Sequence, residues 1–449
     1  MLVKFPPLLL SLALLCATLS ATPAPAGKIF PYPYTHDDLP NGLRLVTIPT
    51  DSPNIVAVYI VVQTGSRNEV EPGKTGFAHL FEHMMFRGTE AYPPSRFEAE
   101  LKRMGAASNA YTTDDHTAYH TVFSKEDLEA LLKMEADRFQ NLKYTEDVFK
   151  TEALAVLGEY NKNASNPVRK ILEVLRGKAF KNHTYRHTTM GFIEDVKNMP
   201  QQYQYSLQFF DRYYRPEYTT IIVAGDVHRD HTRALVEKYW GGWKRGSHKA
   251  AVPAEPPQKE PAVARIDWPN PTLPWVTVAF RGPAYSDTEK DMAALDAISF
   301  LGFSENSELY QRLVIREQKV DTLSASNADH VDPYLFAVMT RVKKESDMEP
   351  VRDEILATLA GFAEKPVPAY RLEKVKRHLR SQFSLGMDNT AAMAANVAHY
   401  VSLRRTPETI NRLYDQYANL NPEDIQKVAR KYFVESGRTI VTLTGGKGR

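Results

Sequence analysis

The pattern of apolar and polar positions differs between segments of the chain. Some segments have a pattern typical of β-strands and others have the spacing typical of α-helices. The strand-like patterns of residues 42–48 and 55–62 predict antiparallel strands. Three longer segments repeat apolar side chains at helical spacing: 95–104, 124–141 and 145–163. Each has an expected N-cap at or next to its start: Ser95, Ser124 and Thr145. Ser95 also forms a capping box with Glu98, and the mixture as a whole predicts the α+β class.

The same pattern ends both halves of the chain. The aromatic pair at 213–214 precedes a strand-like run at 220–225, and the pair at 432–433 precedes a similar run at 439–445. In each case a helical stretch comes before and a glycine closes the run. This repetition predicts two similar domains that arose by duplication.

A proline-rich stretch separates these halves. Residues 248–262 hold four prolines and have neither helical nor strand period, which predicts a semi-rigid linker. At roughly 150 residues per domain, 449 residues are enough for two domains. The expected order is a signal peptide at 1–26, a first domain at 27–247, the linker at 248–262 and a homologous second domain at 263–449.

The first 26 residues have the order of a secretory signal peptide. Lys4 precedes an apolar run from Leu8 to about Leu19, and small residues with prolines follow. The run is shorter than the roughly 20 residues needed to cross a bilayer. No second long apolar run follows, so we expect a secreted or periplasmic protein without a membrane span after signal removal.

Charge and cysteine content limit the chemistry. The chain has 56 basic and 54 acidic residues, a balance that gives no reason to expect nucleic acid as a partner. Cys16 is the only cysteine and lies in the signal segment. A metal bound by the mature chain must therefore be held by histidines and carboxylates.

Such a metal motif occurs within residues 76–89. His79 and His83 are four residues apart, so a helix brings both imidazoles to one face. Glu82 lies beside them, where it can reach a water on the metal rather than the metal. Thr75 can cap this helix and Gly88 can end it. Apolar side chains around the motif predict that the helix is buried.

A third ligand is expected from the helix predicted at 145–163. Catalytic zinc usually has three protein ligands and one open position. Glu152 and Glu159 are seven residues apart and therefore share a face of that helix. The spacing alone leaves both glutamates open as the third ligand.

Together these features resemble the pitrilysin/insulinase family of zinc metallopeptidases, of the short type that includes the mitochondrial processing peptidase subunits. Six matching motifs extend through most of the mature chain: NGLRLV at 41–46, GSRNE at 65–69, GFAHLFEHMMFRGT at 76–89, SNAYTTDDHTAYH at 108–120, the pair Glu152 and Glu159, and YYRPEYTTIIVAGD at 213–226. The resemblance implies that His79, His83 and Glu159 bind one zinc ion per chain. It also implies that Glu82 is the general base and that Glu152 supports catalysis without being the main ligand.

The resemblance further implies an architecture and a substrate. Two similar α+β domains, each a mainly antiparallel sheet with helices, would close like a clamshell on a peptide. Residues 108–113 fit the edge strand that binds an extended substrate through its backbone. The expected function is a secreted zinc endopeptidase that hydrolyses peptides or unfolded segments.

One departure from the family pattern concerns the second half. Active members commonly have an arginine and a tyrosine there that approach the substrate, whereas this chain has Glu308 and a residue at or beside Thr322. The chain would then be the zinc-bearing subunit of a heterodimer whose homologous partner supplies that pair. Tyr310 or Arg312 would be substitutes within the chain. A non-catalytic assembly or scaffold subunit of the same family is the alternative function.

Overall fold

Two β-sheets, one in each half of the chain, organise the fold in a computed structural model whose described residues are 28–446. The predicted signal segment at 1–26 lies outside these residues. The first sheet contains β1 (Thr35–Asp38), β2 (Arg44–Pro49), β3 (Ile55–Val62), β4 (Ala107–Thr112), β5 (Thr117–Ser124) and β6 (Thr219–Gly225). The second contains β7 (Ala262–Trp268), β8 (Trp275–Arg281), β9 (Val320–Asn327), β10 (Leu335–Val342) and β11 (Arg438–Gly445).

Helices pack around these sheets in both halves. The first half has α1 (Phe77–Met84), α2 (Pro94–Arg103), α3 (Leu128–Asn141), α4 (Glu146–Ala164), α5 (Pro167–Ala179), α6 (Ile193–Asn198), α7 (Tyr203–Tyr213) and α8 (Arg229–Trp240). The second half has α9 (Lys290–Phe303), the short α10 (Glu308–Tyr310), α11 (Met348–Glu364), α12 (Ala369–Leu385), α13 (Thr390–Arg404), α14 (Glu408–Ala418) and α15 (Pro422–Tyr432).

The two sheets repeat one topology, which confirms the two similar α+β domains expected from the sequence. The strand order is β1-β2-β6-β3-β5-β4 in the first sheet and β7-β11-β8-β10-β9 in the second. In each sheet the last strand of the half pairs in parallel with the first long strand and antiparallel with the next. The strand predicted at 42–48 is therefore not purely antiparallel, because β2 pairs in parallel with β6.

Each half also contributes a helix to the other half's sheet. α13 packs on β3 and β6, where Met393, Val397 and Val401 are buried against the first sheet. Reciprocally, α5 packs on β7 and β11 with Ile171 and Leu175 buried against the second sheet. This exchange explains why nearly all of β3 is buried on both faces rather than on alternate residues.

The predicted helix caps have mixed outcomes. Thr145 does cap α4, because its side chain accepts a hydrogen bond from the Val148 N–H. The capping box at Ser95 is wrong, since α2 begins at Pro94, whose fixed φ suits a first helical position. Ser124 makes no cap hydrogen bond, because a single 3₁₀ turn separates it from α3.

The stretch around 248–262 is fixed to both halves. Residues 244–261 contain neither helix nor strand. The Glu255 carboxylate accepts hydrogen bonds from the backbone N–H groups of 181–183 and pairs with Arg281 at 2.9 Å. The segment between the halves is therefore anchored rather than loose.

Candidate metal centre

The histidine motif lies on α1, a two-turn helix buried in the first half. Its N-terminus is not capped by Thr75, whose hydroxyl donates instead to Asp195 at 2.7 Å. The buried Glu69 carboxylate performs this role and accepts hydrogen bonds from the Gly76 N–H at 2.8 Å and the Ala78 N–H at 2.7 Å. Burial raises the pKa of Glu69 to about 8. At the C-terminal end of α1, one 3₁₀ turn follows the helix, and Gly88, with φ +81°, ends that turn.

α1 brings the two histidines of the motif together. His79 is 8% exposed and His83 is half-buried, and their rings lie 5.0 Å apart at nearly a right angle. Burial, and then the neighbouring His83, lower the pKa of His79. A histidine that stays neutral keeps a lone pair available to a metal.

The two glutamates of α4 meet different atoms of these histidines. One oxygen of Glu159, Oε2, lies 3.5 Å from His79 Nε2 and 3.6 Å from His83 Nε2. Glu152 Oε2 lies 3.6 Å from the other ring nitrogen of His83, Nδ1, and raises the pKa of His83. Its second oxygen pairs with Arg87 at 3.0 Å. Glu159 therefore faces both Nε2 atoms, whereas Glu152 lies behind His83.

This arrangement fits a tetrahedral metal ion. Zinc bonds of about 2.0–2.2 Å to nitrogen and oxygen place neighbouring ligand atoms about 3.3–3.6 Å apart. The two distances from Glu159 to the histidines match that spacing, and one ligand atom from each residue lies within 4.8 Å of the others. Within residues 28–446 no other cluster of histidine, cysteine or carboxylate side chains has this closeness.

Glu82 lies beside the cluster and contacts the edge of the first sheet. Its Oε2 accepts a hydrogen bond from Thr112 Oγ1 at 2.7 Å. Thr112 is the last residue of β4, which pairs with β5 on one side and is the sheet's edge strand on the other. The predicted substrate strand at 108–113 therefore corresponds to a free strand edge next to the cluster.

A cavity of about 530 Å³ lies between the halves, and its lining includes none of the metal-cluster residues. Its wall includes Tyr160, which follows Glu159, and Thr113, which follows Thr112. The second half contributes residues 327–330 and His399. Both halves of the chain therefore line this cavity.

The sequence does not predict the contacts of several residues in this region. Thr112 lies in the predicted substrate strand, but nothing in the sequence predicts its contact with Glu82, and nothing assigns a role to Glu69 or Arg87. The sequence offers one indication of the contact between the halves, because the motif at 108–120 contains two adjacent aspartates, Asp114 and Asp115. In the structure both aspartates are buried where the two halves meet.

The second-half residues considered for the substrate-facing pair do not contact the metal cluster. Glu308 is exposed and pairs with Arg316 at 2.5 Å, and Thr322 is exposed on β9. Arg312 pairs with Glu354. Tyr310 and Thr322 line a separate cavity of about 1060 Å³ whose lining includes none of the metal-cluster residues.

Comparison with known proteins decides the family. The model of the insulinase family, peptidase family M16, matches residues 44–192, and the model of the peptidase M16 inactive domain matches residues 202–379. This chain belongs to the M16 peptidase family. Of its M16 relatives, zinc protease PqqE of Helicobacter pylori is 28% identical over 90% of this chain and 91% of its own length.

Other M16 relatives agree with this assignment. The probable mitochondrial-processing peptidase subunit beta of Arabidopsis thaliana is 26% identical over 90% of this chain and 77% of its own length. The crystal structure of a protease from Helicobacter pylori superposes with a TM-score of 0.85 at 27% identity, over 92% of this chain and 99% of that one. None of the helices in the described part of this M16 chain has the length and apolarity to cross a membrane.

Proposed function

We propose that this chain is a secreted or periplasmic zinc endopeptidase that hydrolyses peptides or unfolded segments. The observation that carries the proposal is the cluster of His79, His83 and Glu159 with Glu82 beside it. We assign the site to a first domain at 27–247, joined by the linker at 248–262 to a second domain at 263–449.

The residues of the cluster have distinct roles in this proposal. His79, His83 and Glu159 hold one zinc ion, which when bound polarises a peptide carbonyl and makes water more acidic. Glu82 accepts the proton of the attacking water and returns it to the leaving nitrogen. The Thr112 hydrogen bond to Oε2 leaves Oε1 of Glu82 free for this transfer. Glu152 is a positioning residue that holds His83 through Nδ1.

The substrate is an extended peptide bound along β4. A free strand edge offers unpaired backbone N–H and C=O groups, which pair with any extended segment regardless of its sequence. A folded protein does not present such a segment. This favours peptides and unfolded regions as substrates, with side-chain selection by the cavity between the halves.

A signal segment supports the proposed location. Residues 1–26 have the charge and apolar order of a secretory signal, and such a segment directs the mature chain out of the cytosol. The mature chain has no cysteine, so its folding does not depend on disulfide formation in that compartment.

We also propose that a homologous partner subunit completes the site. Glu308 carries a negative charge, which would repel rather than stabilise the charge that develops on a peptide carbonyl. Arg312 is occupied by Glu354 and is not free to replace the absent arginine. The purified chain alone should therefore be weakly active and gain activity with a paralogue that carries the arginine and tyrosine. Equal specific activity in both assays would exclude the shared site.

The test of the main proposal combines metal analysis with a peptide assay. The purified mature chain should contain one zinc ion and cleave a quenched-fluorescent peptide library. Removal of zinc by a chelator should abolish cleavage, and added Zn²⁺ should restore it. A folded chain that binds no zinc and cleaves no peptide would favour the alternative of a non-catalytic assembly or scaffold subunit.

A further inference from the structure

The edge strand β4 ends in a tight turn that contacts both halves of the molecule. Residues 113–116 join β4 to β5, and the Thr113 hydroxyl accepts hydrogen bonds from backbone N–H groups of this turn. From the first half, the Arg67 N–H donates to the Asp114 carbonyl at 2.7 Å, and Arg176 forms a two-point pair with the Asp114 carboxylate. The turn is thus a fixed point at the end of the proposed substrate strand.

The second half reaches this turn through the loop between β9 and β10, residues 328–334. His330 Nε2 lies 2.9 Å from Asp114 Oδ2, and the Val331 N–H donates to Asp115 Oδ2 at 3.0 Å. Because β9 and β10 are the counterparts of β4 and β5, the two equivalent hairpin ends meet each other. Chain topology places this contact beside the site rather than at a remote interface.

His330 is held firmly in this contact. It is 8% exposed, its ring stacks on Tyr334 with centroids 3.6 Å apart, and its second nitrogen lies 3.2 Å from the Ala328 carbonyl. Burial alone would raise the pKa of Asp114, but Arg176 and His330 hold it well below its usual range. A buried carboxylate of this kind is costly unless all its partners stay in place, so loss of His330 should displace the turn.

Displacement of the turn would act on Glu82 through Thr112. Thr112 directly precedes the turn and makes the 2.7 Å hydrogen bond to Glu82 Oε2. We propose that the second half orients the catalytic base through His330, Asp114 and Thr112, so that His330 is a positioning residue for catalysis. This inference rests on the proposed function, because it takes Glu82 as the base.

A double-mutant cycle tests the coupling. His330→Leu removes the contact to Asp114, and Thr112→Val removes the hydrogen bond to Glu82. We expect each single change to lower kcat about tenfold. When His330→Leu is added to the Thr112→Val variant, kcat should fall by less than about a further twofold, because both changes disturb the same contact with Glu82. Zinc content should stay close to wild type, because neither residue is a metal ligand. His330→Gln, which keeps an N–H donor at this distance, should recover most of the kcat.

His399→Leu is the matched control. His399 lines the same cavity and pairs with Asp329 at 2.9 Å, but it makes no hydrogen bond to the turn. In the double variant of His399→Leu and Thr112→Val, the fold-change in kcat should equal the product of the two single fold-changes. If His330→Leu does not fold, His330→Asn replaces it, because the shorter amide does not reach Asp114.

Hydrogen exchange of residues 107–117 gives a second readout that does not depend on catalysis. Exchange should become at least about tenfold faster in His330→Leu and stay unchanged in His399→Leu. Multiplicative losses in the cycle, or unchanged exchange, would overturn the inference. A wild-type chain that has neither zinc nor activity would instead refute the proposed function. It would also refute this inference, because there would then be no catalytic base to orient. Faster hydrogen exchange in His330→Leu would still show that the second half holds the turn.

Discussion

Glu152 and Glu159 are two turns apart on one helix, and their different neighbours predict different effects of substitution. Glu159→Gln should lower zinc occupancy directly, because Oε2 faces both Nε2 atoms. Glu152→Gln should mainly lower the rate and reduce zinc affinity by only about 10- to 100-fold, as expected for a partner behind a ligand. Zinc content after dialysis at graded chelator concentration, together with kcat, separates the two. Lower occupancy in Glu152→Gln than in Glu159→Gln would mean that the two assignments are exchanged.

At the scale of single residues, the sequence predicts contacts between side chains on one helix. It does not predict contacts that form only when distant segments of the chain pack together. The positions of His79, Glu82 and His83 follow from four-residue spacing on one helix. The choice between Glu152 and Glu159 does not, since both share a face and only tertiary packing separates them. The contacts of Glu82 with Thr112 and of Asp114 with His330 join distant parts of the chain and leave no local pattern.

Among the elements, α1 depends on a residue outside itself. Glu69→Ala should leave the Gly76 and Ala78 N–H groups buried without partners, at a cost of about 2–4 kcal/mol in the free energy of unfolding. Zinc affinity should fall as well, because these groups lie at the start of the helix that carries both histidines. Chemical denaturation and zinc titration measure the two effects.

Glu90→Ala is the matched control for that change. Glu90 follows the same helix but is exposed, and its partner Lys143 is exposed too. This control should leave the free energy of unfolding almost unchanged. Equal effects of Glu69→Ala and Glu90→Ala would contradict the capping role.

The element predictions from sequence succeed where local signals are strong. The cap at Thr145 is predictable because its position before an apolar periodic run is a local feature. Ser95 failed because Pro94 starts α2 one residue earlier, and Thr75 failed because Glu69 reaches the helix start from a preceding loop. The parallel pairing of β2 with β6 is a long-range choice that alternation along one strand does not specify.

For the whole molecule, the exchange of α5 and α13 makes each half dependent on the other. A chain cut within 248–261 should not give two independently folded halves, because the first sheet would lose the cover of Met393, Val397 and Val401. We expect residues 27–247 alone to be insoluble or to bind an apolar dye, and the co-expressed halves to assemble. Circular dichroism and size-exclusion chromatography check this. A soluble first half that unfolds cooperatively and binds zinc would contradict it.

The most direct test of the central claim is the zinc content and peptidase activity of Glu82→Gln, measured on one preparation. The amide keeps the shape of the side chain and can still accept the Thr112 hydrogen bond, but it cannot take a proton from water. The variant should therefore keep its zinc ion and lose at least about 100-fold in kcat. Zinc retention with near-normal turnover would show that Glu82 is not the base and would contradict the proposed mechanism.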